Sequence, residues 1–424
     1  MSLNSNGTHP LSTHKKVLVI GAGSTGLALA QGLKKKGIPF TVYEKDASPQ
    51  ARERNWTFGL HWGAEPLREL VPTHVFGQIE AAQVDPHVAT KDTDRLPFKN
   101  GATGELIKQI ESSKFYRLRR DKFRAMLLTE LDQEVQWGKE LEDIIYSLDG
   151  ATVTARFTDG TEDTGSILIA TDGPHSKART LLVGEERAKV TPIDFASTMC
   201  FTKHTREHAL FLRSPPHHPL YQVGPHPKGY CGWLSLHDGD DINHPENWIF
   251  FHYISFPEPK HEINHRTNRE HVLHQKELAK HFADPWRSVF EWMSEDTPVW
   301  YSKLRNWDPS LPEHRWENQL GRVTLAGDAA HPMTFQRGQG LNHAIMDAYT
   351  VYKAIESFWG DLTVENRARA LQEYEAEMIQ RAGEEVRLSE ANSVAVHDWS
   401  QINESPSLKK GMTVEAKIEA QSVC

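Results

Sequence analysis

Apolar and polar residues recur along the chain with two periods, that of an α-helix and the period of two of a β-strand. The first such stretch lies near the N-terminus. Val17–Ile20 is a short apolar run with the length and branching of a buried parallel strand. A helical pattern follows over Ser24–Lys36, with basic residues in its last turn and Gly37 as its stop. Residues 40–43 have the pattern of the next strand. This order predicts a βαβ unit with parallel strands.

The middle of the chain changes from the helical period to a period of two. A helical pattern begins at Asp121, which we predict as the N-cap of that helix. From residue 135 to residue 170 the apolar positions alternate, and Asp-Gly pairs at 149–150 and 159–160 separate the alternating runs. We therefore predict a small antiparallel meander that returns to a buried strand, Ile167–Ala170.

Residues 190–305 are distinguished by aromatic runs. Three of these runs are strand-like, FASTMCFTK, YCGWLSLHD and NWIFFHYISF, whereas residues 268–293 have a helical pattern. A buried strand ending in Gly327-Asp328 follows, then a long helix over residues 342–359 and another to about Ala395, after which the tail is predicted to fray. The patterns predict an α/β chain with a second, mainly antiparallel lobe inserted into the first.

Composition narrows the possible partners. A length of 424 residues predicts two or three lobes, and a formal net charge of -9 argues against a nucleic-acid-binding surface. Three cysteines fit a reducing, cytoplasmic location better than a disulfide framework. We predict no membrane span, no secretory signal, and a disordered tail over residues 1–14. No metal site is predicted, because no histidine pair with ligand spacing falls on a predicted helix or strand.

Candidate chemistry begins where the first predicted strand ends. Gly21, Gly23 and Gly26 complete G-x-G-x-x-G: the first makes a tight turn, the second lets a pyrophosphate approach the backbone, and the third lets helix pack on strand. Glu44 follows the second strand, where a carboxylate can bind both hydroxyls of an adenosine ribose and would repel a 2′-phosphate. The stretch therefore predicts a site for FAD or NAD.

Two later motifs also follow predicted strands. The first is TDGPHSKAR, residues 171–179, which offers Asp172 and an arginine at a strand end. The second is GDAAHP, residues 327–332, followed by RGQGLNHAIMDA, residues 337–348. Carboxylates at the ends of parallel strands meet at one edge of a sheet, which is where α/β proteins bind nucleotides.

These motifs, in this order, resemble the FAD-dependent monooxygenases of the single-component aromatic hydroxylase type, especially the fungal flavoprotein monooxygenases of secondary metabolism. The resemblance extends from residue 15 to about residue 395. It implies an interrupted Rossmann-like FAD-binding domain, a mainly antiparallel β substrate domain and C-terminal helices. We place the FAD-binding domain at 15–85, 105–185 and 315–360, the substrate domain at 86–104 and 186–314, and a C-terminal helical segment at 361–424.

The resemblance also implies the cofactor contacts. Arg120 and Asp328 would hold the ribityl-pyrophosphate part, the Asp-Gly motif would take part in FAD and NAD(P)H binding, and amides around residues 338–342 would lie at the N1/O2 edge of the flavin. The cofactor-binding residues so predicted are Gly21, Gly23, Ser24, Thr25, Gly26, Glu44, Lys45, Arg120, Asp172, Asp328, Gly338, Gly340, Leu341 and Asn342. The chain departs from the family pattern at Thr171, and at residues 334–336, where Thr-Phe-Gln replaces a proline-containing pair.

The implied activity consumes NADH or NADPH and inserts one oxygen atom from O2 into a hydrophobic aromatic or polycyclic natural product. It would hydroxylate or epoxidise through a flavin C4a-hydroperoxide. Baeyer–Villiger oxidation by the same intermediate and a non-catalytic FAD-binding relative are open alternatives. An NAD-only dehydrogenase is disfavoured, because it would not need a second strand-end aspartate. The expected partners are the substrate and O2, with no nucleic acid and no membrane span, in a monomer or homodimer.

The run NWIFFHYISF places His252 and Tyr253 on opposite faces of one strand. The resemblance implies that one face covers the flavin and the other packs on helices. We predict that the His252 face covers the flavin, because a titratable group among aromatic side chains could accept the proton of a phenol. Tyr253 is the second candidate catalytic residue. The alternative is that His252 is a hydrogen-bonded core histidine.

Overall fold

The computed structural model describes residues 15–51 and 56–412, so the predicted tail 1–14 lies outside it. Its strands are, in chain order, β1 (Val17–Ile20), β2 (Phe40–Glu44), β3 (Thr57–Leu60), β4 (Thr93–Lys99), β5 (Leu106–Ser113), β6 (Tyr116–Arg119), β7 (Val135–Trp137), β8 (Leu141–Tyr146), β9 (Val153–Phe157), β10 (Glu162–Gly165), β11 (Ile167–Ala170), β12 (Thr191–Thr202), β13 (Tyr221–His226), β14 (Tyr230–Asp238), β15 (Ile249–Pro257), β16 (Val299–Asn306) and β17 (Val323–Leu325).

The described part of the chain also has twelve α-helices. They are α1 (Ser24–Lys36), α2 (Ala64–Leu70), α3 (Thr73–Phe76), α4 (Arg120–Leu128), α5 (Lys177–Val183), α6 (Glu185–Ala188), α7 (Arg206–Arg213), α8 (Asn268–Ala279), α9 (Trp286–Glu291), α10 (Gly340–Trp359), α11 (Val364–Val396) and α12 (Pro406–Lys410). No helix in the described part of the chain is both long and apolar enough to cross a membrane.

Five parallel strands form the first sheet, in the order β17-β11-β1-β2-β7. Every residue of β1 and β11 is buried, as expected for strands covered on both faces. Helix α1 packs against α4 and α10. It begins and ends where the sequence predicts, and Gly37 takes the left-handed conformation (φ 71°) that lets its N–H bond to the carbonyls of Leu33 and Lys34.

The predicted meander forms a separate antiparallel sheet, β10-β9-β8. The largest sheet has seven strands in the order β16-β12-β15-β14-β13-β4-β5, and its pairs are antiparallel except for β13 with β4. Helices α8 and α9 pack on one of its faces. The predicted α/β fold, with parallel-sheet and mainly antiparallel parts, is confirmed.

Three local predictions need correction. Strand β5 pairs with β4 in the seven-stranded sheet, so a return to the FAD-binding domain at residue 105 is one strand too early. The helical pattern over residues 268–293 is divided between two helices: α8 ends at Ala279, and α9 begins at Trp286 with Pro285 as its N-cap residue. Asp121 is not an N-cap: it pairs with Arg119, the residue that caps α4, at 2.6 Å between Nη2 and Oδ2.

The C-terminal segment does not fray after α11 as predicted. A 3-10 helix, Trp399–Glu404, is followed by α12, which contacts β5. Leu408 and Met412 are buried in the core of the second lobe. The chain therefore returns to the seven-stranded sheet over the last described residues, up to Met412.

Candidate active site

Four parallel strands bring predicted cofactor residues to one edge. The order β17-β11-β1-β2 makes these strands neighbours, so their carboxyl ends are adjacent. Gly21 follows β1, Glu44 ends β2, and Asp172 and Asp328 lie just beyond β11 and β17. A nucleotide bound at the carboxyl edge of a parallel sheet would contact all four.

The first glycine loop has two packed glycines and one open glycine. Gly21 has φ 104°, and a Cβ there would lie 2.6 Å from the carbonyl oxygen of Thr171. A Cβ on Gly26 would lie 2.0 Å from the carbonyl oxygen of Gly21, whereas one on Gly23 would meet nothing within 4 Å. Only the second glycine therefore leaves open space beside the helix start, which is where a pyrophosphate would need it. Ser24 and Thr25 form the first turn of α1.

The Glu44 carboxylate is buried beside this loop. It accepts hydrogen bonds from the N–H of Ala22 (2.8 Å) and the N–H of Asp46 (3.1 Å). Arg124, which the sequence analysis did not single out, donates from Nε to the carbonyl of Ala22 at 2.8 Å and lies 3.5 Å from Glu44. The only sequence signal for Arg124 is its place one turn after Arg120 on α4. Lys45 is exposed next to Glu44.

The Asp-Gly motif is held by side chains from within it and reaches the Gly-Asp motif. Asp172 accepts hydrogen bonds from Ser176 Oγ (2.5 Å) and Lys177 N–H (2.7 Å) at the start of α5, while desolvation raises its pKa. Arg179, the last residue of the motif, is buried and donates from Nη1 to the carbonyl of Ala329 at 2.9 Å. The guanidinium of Arg179 thus joins the two motifs, although Arg179 and Ala329 are 150 residues apart in the sequence.

Asp328 is exposed at the carboxyl edge of the parallel sheet, just beyond β17. Its side chain is accessible to solvent, yet it is surrounded by enough protein for desolvation to raise its pKa, while the positive charge of Arg120 acts in the opposite direction. Arg120 and Asp328 are thus close enough to interact. Behind them, Asp347 accepts a hydrogen bond from the N–H of Gly327 at 2.7 Å and fixes the turn that presents Asp328.

The second glycine-rich loop leads into α10. Gly338 has φ 65°, and a Cβ on Gly340 would meet nothing within 4 Å. The Asn342 side chain holds the neighbouring segment after β3: its Oδ1 accepts from the N–H groups of His61 (2.9 Å) and Gly63 (3.1 Å). Leu341 and Asn342 therefore lie in the first turn of a helix whose N–H groups can bind an electron-rich atom.

Strand β15 has its two faces the other way round from the prediction. His252 is fully buried against Phe290 of α9 (ring centres 4.6 Å apart) and bonds to Thr202 Oγ1 at 3.0 Å, and burial lowers its pKa to about 3. Tyr253, on the other face, contacts Phe335 of the second glycine-rich loop at 5.2 Å. The prediction that the His252 face covers the flavin is therefore wrong, because α8 and α9 occupy that side of the sheet.

The Tyr253 face carries a group of aromatic and apolar side chains, which we call the aromatic wall. Trp56 contacts two of its members edge-on, with ring centres 6.1 Å from Phe251 and 5.2 Å from Trp300. The wall consists of Trp56, Met199, Phe201, Trp233, Phe251, Tyr253 and Trp300. It faces the loop that leads into α10.

The three residues that depart from the family pattern attach this loop to its surroundings. Thr334 Oγ1 donates to the carbonyl of Ser389 on α11 at 2.9 Å, and Gln336 Nε2 donates to Ser255 Oγ on β15 at 3.0 Å. Phe335, which lies between them, is 41% exposed. The departure therefore fixes the loop against both α11 and the sheet.

The residues present fit FAD. The open side of Gly23, the start of α1, and the charges of Arg120 and Asp328 suit a dinucleotide, and the start of α10 beside the aromatic wall suits a ring system. No group of three or more His, Cys, Asp or Glu side chains in the described part of the chain is arranged to hold a metal ion.

Comparison with known proteins identifies the family. A family model described as an FAD binding domain matches residues 265–389. The FAD-dependent monooxygenase cctM of Talaromyces islandicus is 37% identical over 398 residues, covering 94% of this chain and 97% of that protein. The FAD-dependent monooxygenase phnB of Penicillium herquei is 36% identical over 406 residues, covering 94% and 95%.

Solved structures share the fold. HpxO of Klebsiella pneumoniae, complexed with FAD and uric acid, superposes with a TM-score of 0.70 at 22% identity, over 92% of each chain. CtdE in complex with FAD and a substrate superposes with a TM-score of 0.70 at 18% identity, covering 93% of this chain and 92% of that one. The resemblance seen in the sequence is confirmed, and the chain belongs to the FAD-dependent monooxygenases.

Proposed function

We propose that this FAD-dependent monooxygenase consumes NADH or NADPH and inserts one oxygen atom of O2 into a hydrophobic aromatic or polycyclic natural product. The observation that carries the proposal is the aromatic wall, which faces the loop before α10 and meets it where Tyr253 contacts Phe335. A flat apolar substrate would lie against such a wall with its reacting carbon toward the cofactor.

We assign the cofactor contacts to the carboxyl edge of the parallel sheet and the start of α10. Gly21, Gly23, Ser24, Thr25 and Gly26 would hold the pyrophosphate. The remaining predicted contacts would be divided between the adenosine ribose, the ribityl chain and the flavin ring: Glu44, Lys45, Arg120, Asp172, Asp328, Gly338, Gly340, Leu341 and Asn342. Bound FAD supplies electron uptake from NAD(P)H and the activation of O2, and the protein supplies position and shelter from water.

Tyr253 is the catalytic candidate that we retain. Burial raises the pKa of its phenol well above its ordinary value, so the hydroxyl stays protonated. It lies 4% exposed on the aromatic wall. A protonated phenol there would donate a hydrogen bond to an oxygen of the substrate and orient the ring. His252 packs against α9 on the other face of the sheet, so it would contribute to the stability of β15 instead.

The test uses FAD-loaded enzyme, a panel of aromatic and polycyclic phenols, and NADH and NADPH in separate reactions. We expect one or more phenols to accelerate NAD(P)H oxidation and to give a product that contains one oxygen atom from 18O2. The structure of that product by NMR separates hydroxylation and epoxidation from Baeyer–Villiger ring expansion. NAD(P)H oxidation that no aromatic compound stimulates would contradict the substrate class.

Location and assembly complete the proposal. We place the enzyme in the cytoplasm, because Cys200 and Cys231 are free and buried. We expect a monomer or a homodimer, which light scattering on the purified enzyme distinguishes.

A further inference from the structure

Arg117, on β6, is a buried cation with no carboxylate partner in the described part of the chain. The residue is 6% exposed, and its guanidinium carbon lies 5.3 Å from the ring centre of Trp233. Among the described residues it donates hydrogen bonds from Nη2 to Thr57 Oγ1 at 2.5 Å and to Ser235 Oγ at 3.4 Å. Its Nε is enclosed and has no partner there. The guanidinium therefore has donors to spare.

The charge of Arg117 is retained at neutral pH. Burial lowers its pKa to about 10, and the nearby phenols of Tyr221 and Tyr253 act in the opposite direction. A guanidinium with that pKa is protonated at pH 7. Hydroxyl groups compensate a buried charge poorly, because they bring no opposite charge.

Other buried arginines of the chain are compensated more fully. Arg337 pairs with Glu385, with 2.7 Å between Nε and Oε1, and Arg213, which is only partly buried, pairs with Asp85 at 2.5 Å. Arg367 donates to backbone carbonyls of residues 150, 151 and 166. The uncompensated charge of Arg117 is therefore not a general property of this core.

Arg117 also lies at the aromatic wall. Trp233, which covers one side of the guanidinium, is nearly parallel to Tyr253, with ring centres 6.2 Å apart. Tyr253 in turn contacts Phe335 on the loop before α10. A chain of contacts thus connects the guanidinium with the place proposed for the flavin.

We propose that Arg117 binds an ionised oxygen of the substrate, so that the enzyme accepts aromatic compounds as phenolate, enolate or carboxylate anions. Charge-assisted hydrogen bonds from the free N–H groups would fix the anionic oxygen, and Trp233 and Tyr253 would contact the rings. The inference rests on the proposed function, because it assumes that the substrate lies against the aromatic wall.

The test measures binding of matched probes to oxidised, FAD-loaded enzyme by titration calorimetry at neutral pH. One pair is 2-naphthoate and its neutral methyl ester, and the other is 2-hydroxy-1,4-naphthoquinone, an acidic enol, and its methyl ether. We expect at least one anion to bind about ten- to a hundredfold more tightly than its neutral partner. The pair that shows the preference tells whether a carboxylate or an enolate is the favoured group.

Substitution then assigns the preference to Arg117. Arg117→Met removes the charge and keeps most of the apolar stem, so it should abolish the preference for anions while the neutral probes bind as before. Arg117→Lys keeps the charge and should retain part of the preference for anions. This variant replaces Arg117→Met in the test if the Met variant does not fold. Arg213→Met is the matched control, because Arg213 also lies over a tryptophan, at 4.2 Å from the ring of Trp248, but is paired with Asp85.

Three results would overturn the inference. Equal binding of anionic and neutral probes by the unmodified enzyme contradicts it and leaves the proposed function intact. An unchanged preference for anionic probes in Arg117→Met also contradicts the inference and leaves the proposed function intact. Failure of the unmodified enzyme, with full FAD content, to bind any of the four probes would overturn both the inference and the proposed aromatic substrate.

Discussion

Gly23 is the position in the first glycine loop where a side chain would clash with no protein atom but would still interfere with cofactor binding. A Cβ there meets no protein atom within 4 Å, in contrast to Gly21 and Gly26, whose Cβ positions are filled by backbone. The space beside Gly23 lies in front of the first turn of α1, whose N–H groups favour an anion. A larger residue would therefore compete with the cofactor and not with the fold.

We expect Gly23→Val to keep the fold and to lose FAD. The stability of the apoprotein should change by no more than about 0.5 kcal/mol, as for other substitutions that meet no neighbour. Its affinity for FAD, measured by fluorescence titration, should fall by more than about tenfold, because the valine occupies the pyrophosphate position. Gly360→Val, at another position with nothing within 4 Å, is the control. Normal FAD affinity in Gly23→Val would show that the loop is only a structural turn.

Replacing Asp328 should weaken FAD binding without lowering the stability of the apoprotein. A hydrogen bond from a ribityl hydroxyl to a carboxylate contributes about 1.5–3 kcal/mol, so Asp328→Asn should raise the Kd for FAD about ten- to a hundredfold. Desolvation raises the pKa of Asp328, so the folded state disfavours its ionised form and stability decreases as the pH rises through that pKa. The apoprotein of Asp328→Asn should thus melt at the same temperature or higher at pH 7. A lower melting temperature with unchanged FAD affinity would indicate a structural role.

Arg117, Arg124 and Arg179 show the limit of sequence reasoning at the scale of single residues. The glycines and strand-end acids could be predicted, because each motif is contained in one strand, one turn and the start of one helix. The arginines act across the chain: Arg179 reaches a carbonyl 150 residues away, and Arg117 reaches a hydroxyl 118 residues away. No local pattern records such a contact, since it exists only after segments that are distant in the sequence have come together.

Strand β15 shows the same limit at the scale of an element. Its bounds and its alternation could be predicted from NWIFFHYISF, and the structure has a strand over Ile249–Pro257. Both faces are apolar, so the period of two could not tell which one faces the cofactor. The answer depends on α8 and α9, which pack on one side of the seven-stranded sheet only. Periodicity predicts an element, whereas packing of distant elements decides its orientation.

The two faces of β15 predict different results for two matched substitutions. Tyr253→Phe should lower substrate-stimulated NAD(P)H oxidation at equal FAD content, because it removes one hydroxyl from the aromatic wall. His252→Phe should leave that stimulation largely unchanged and lower the melting temperature, because it forces a larger ring into a packed core at a cost of about 1–3 kcal/mol. Loss of stimulation in His252→Phe alone would contradict the orientation of the strand.

At the scale of the whole molecule, one buried group of charges joins three parts of the chain. Asp347 on α10 is bonded to His331 Nε2 at 2.5 Å, to Arg381 of α11 at 2.8 Å, and to the N–H of Gly327 at 2.7 Å. Burial opposes the ionisation of Asp347, but His331 and Arg381 outweigh it and hold its pKa below its ordinary value. Helix α11 is thus linked to the turn that presents Asp328.

We expect this group of charges to make stability depend on acid pH. A carboxylate with a lowered folded pKa stabilises the protein above its ordinary value of 3.8, and the stabilisation is lost as the pH falls from there toward the folded pKa. Asp347→Asn should remove this dependence and cost about 3–5 kcal/mol at pH 7, because Arg381 and His331 would lose the buried carboxylate that both contact. Urea unfolding at pH 7 and below pH 4 measures both. Glu377→Gln, which removes a more exposed partner of Arg381, is the control and should cost less than about 1 kcal/mol. Equal losses in the two variants would contradict the role of Asp347.

The path of the chain between its two large sheets has a consequence for how the protein can be divided. The chain leaves the parallel sheet for β4 and β5, returns through β7 and β11, leaves again for β12 to β16, and returns only at β17. Any single cut between residues 93 and 325 separates strands that belong to the same sheet. Neither lobe therefore corresponds to a contiguous segment that could be exchanged between relatives by one recombination event.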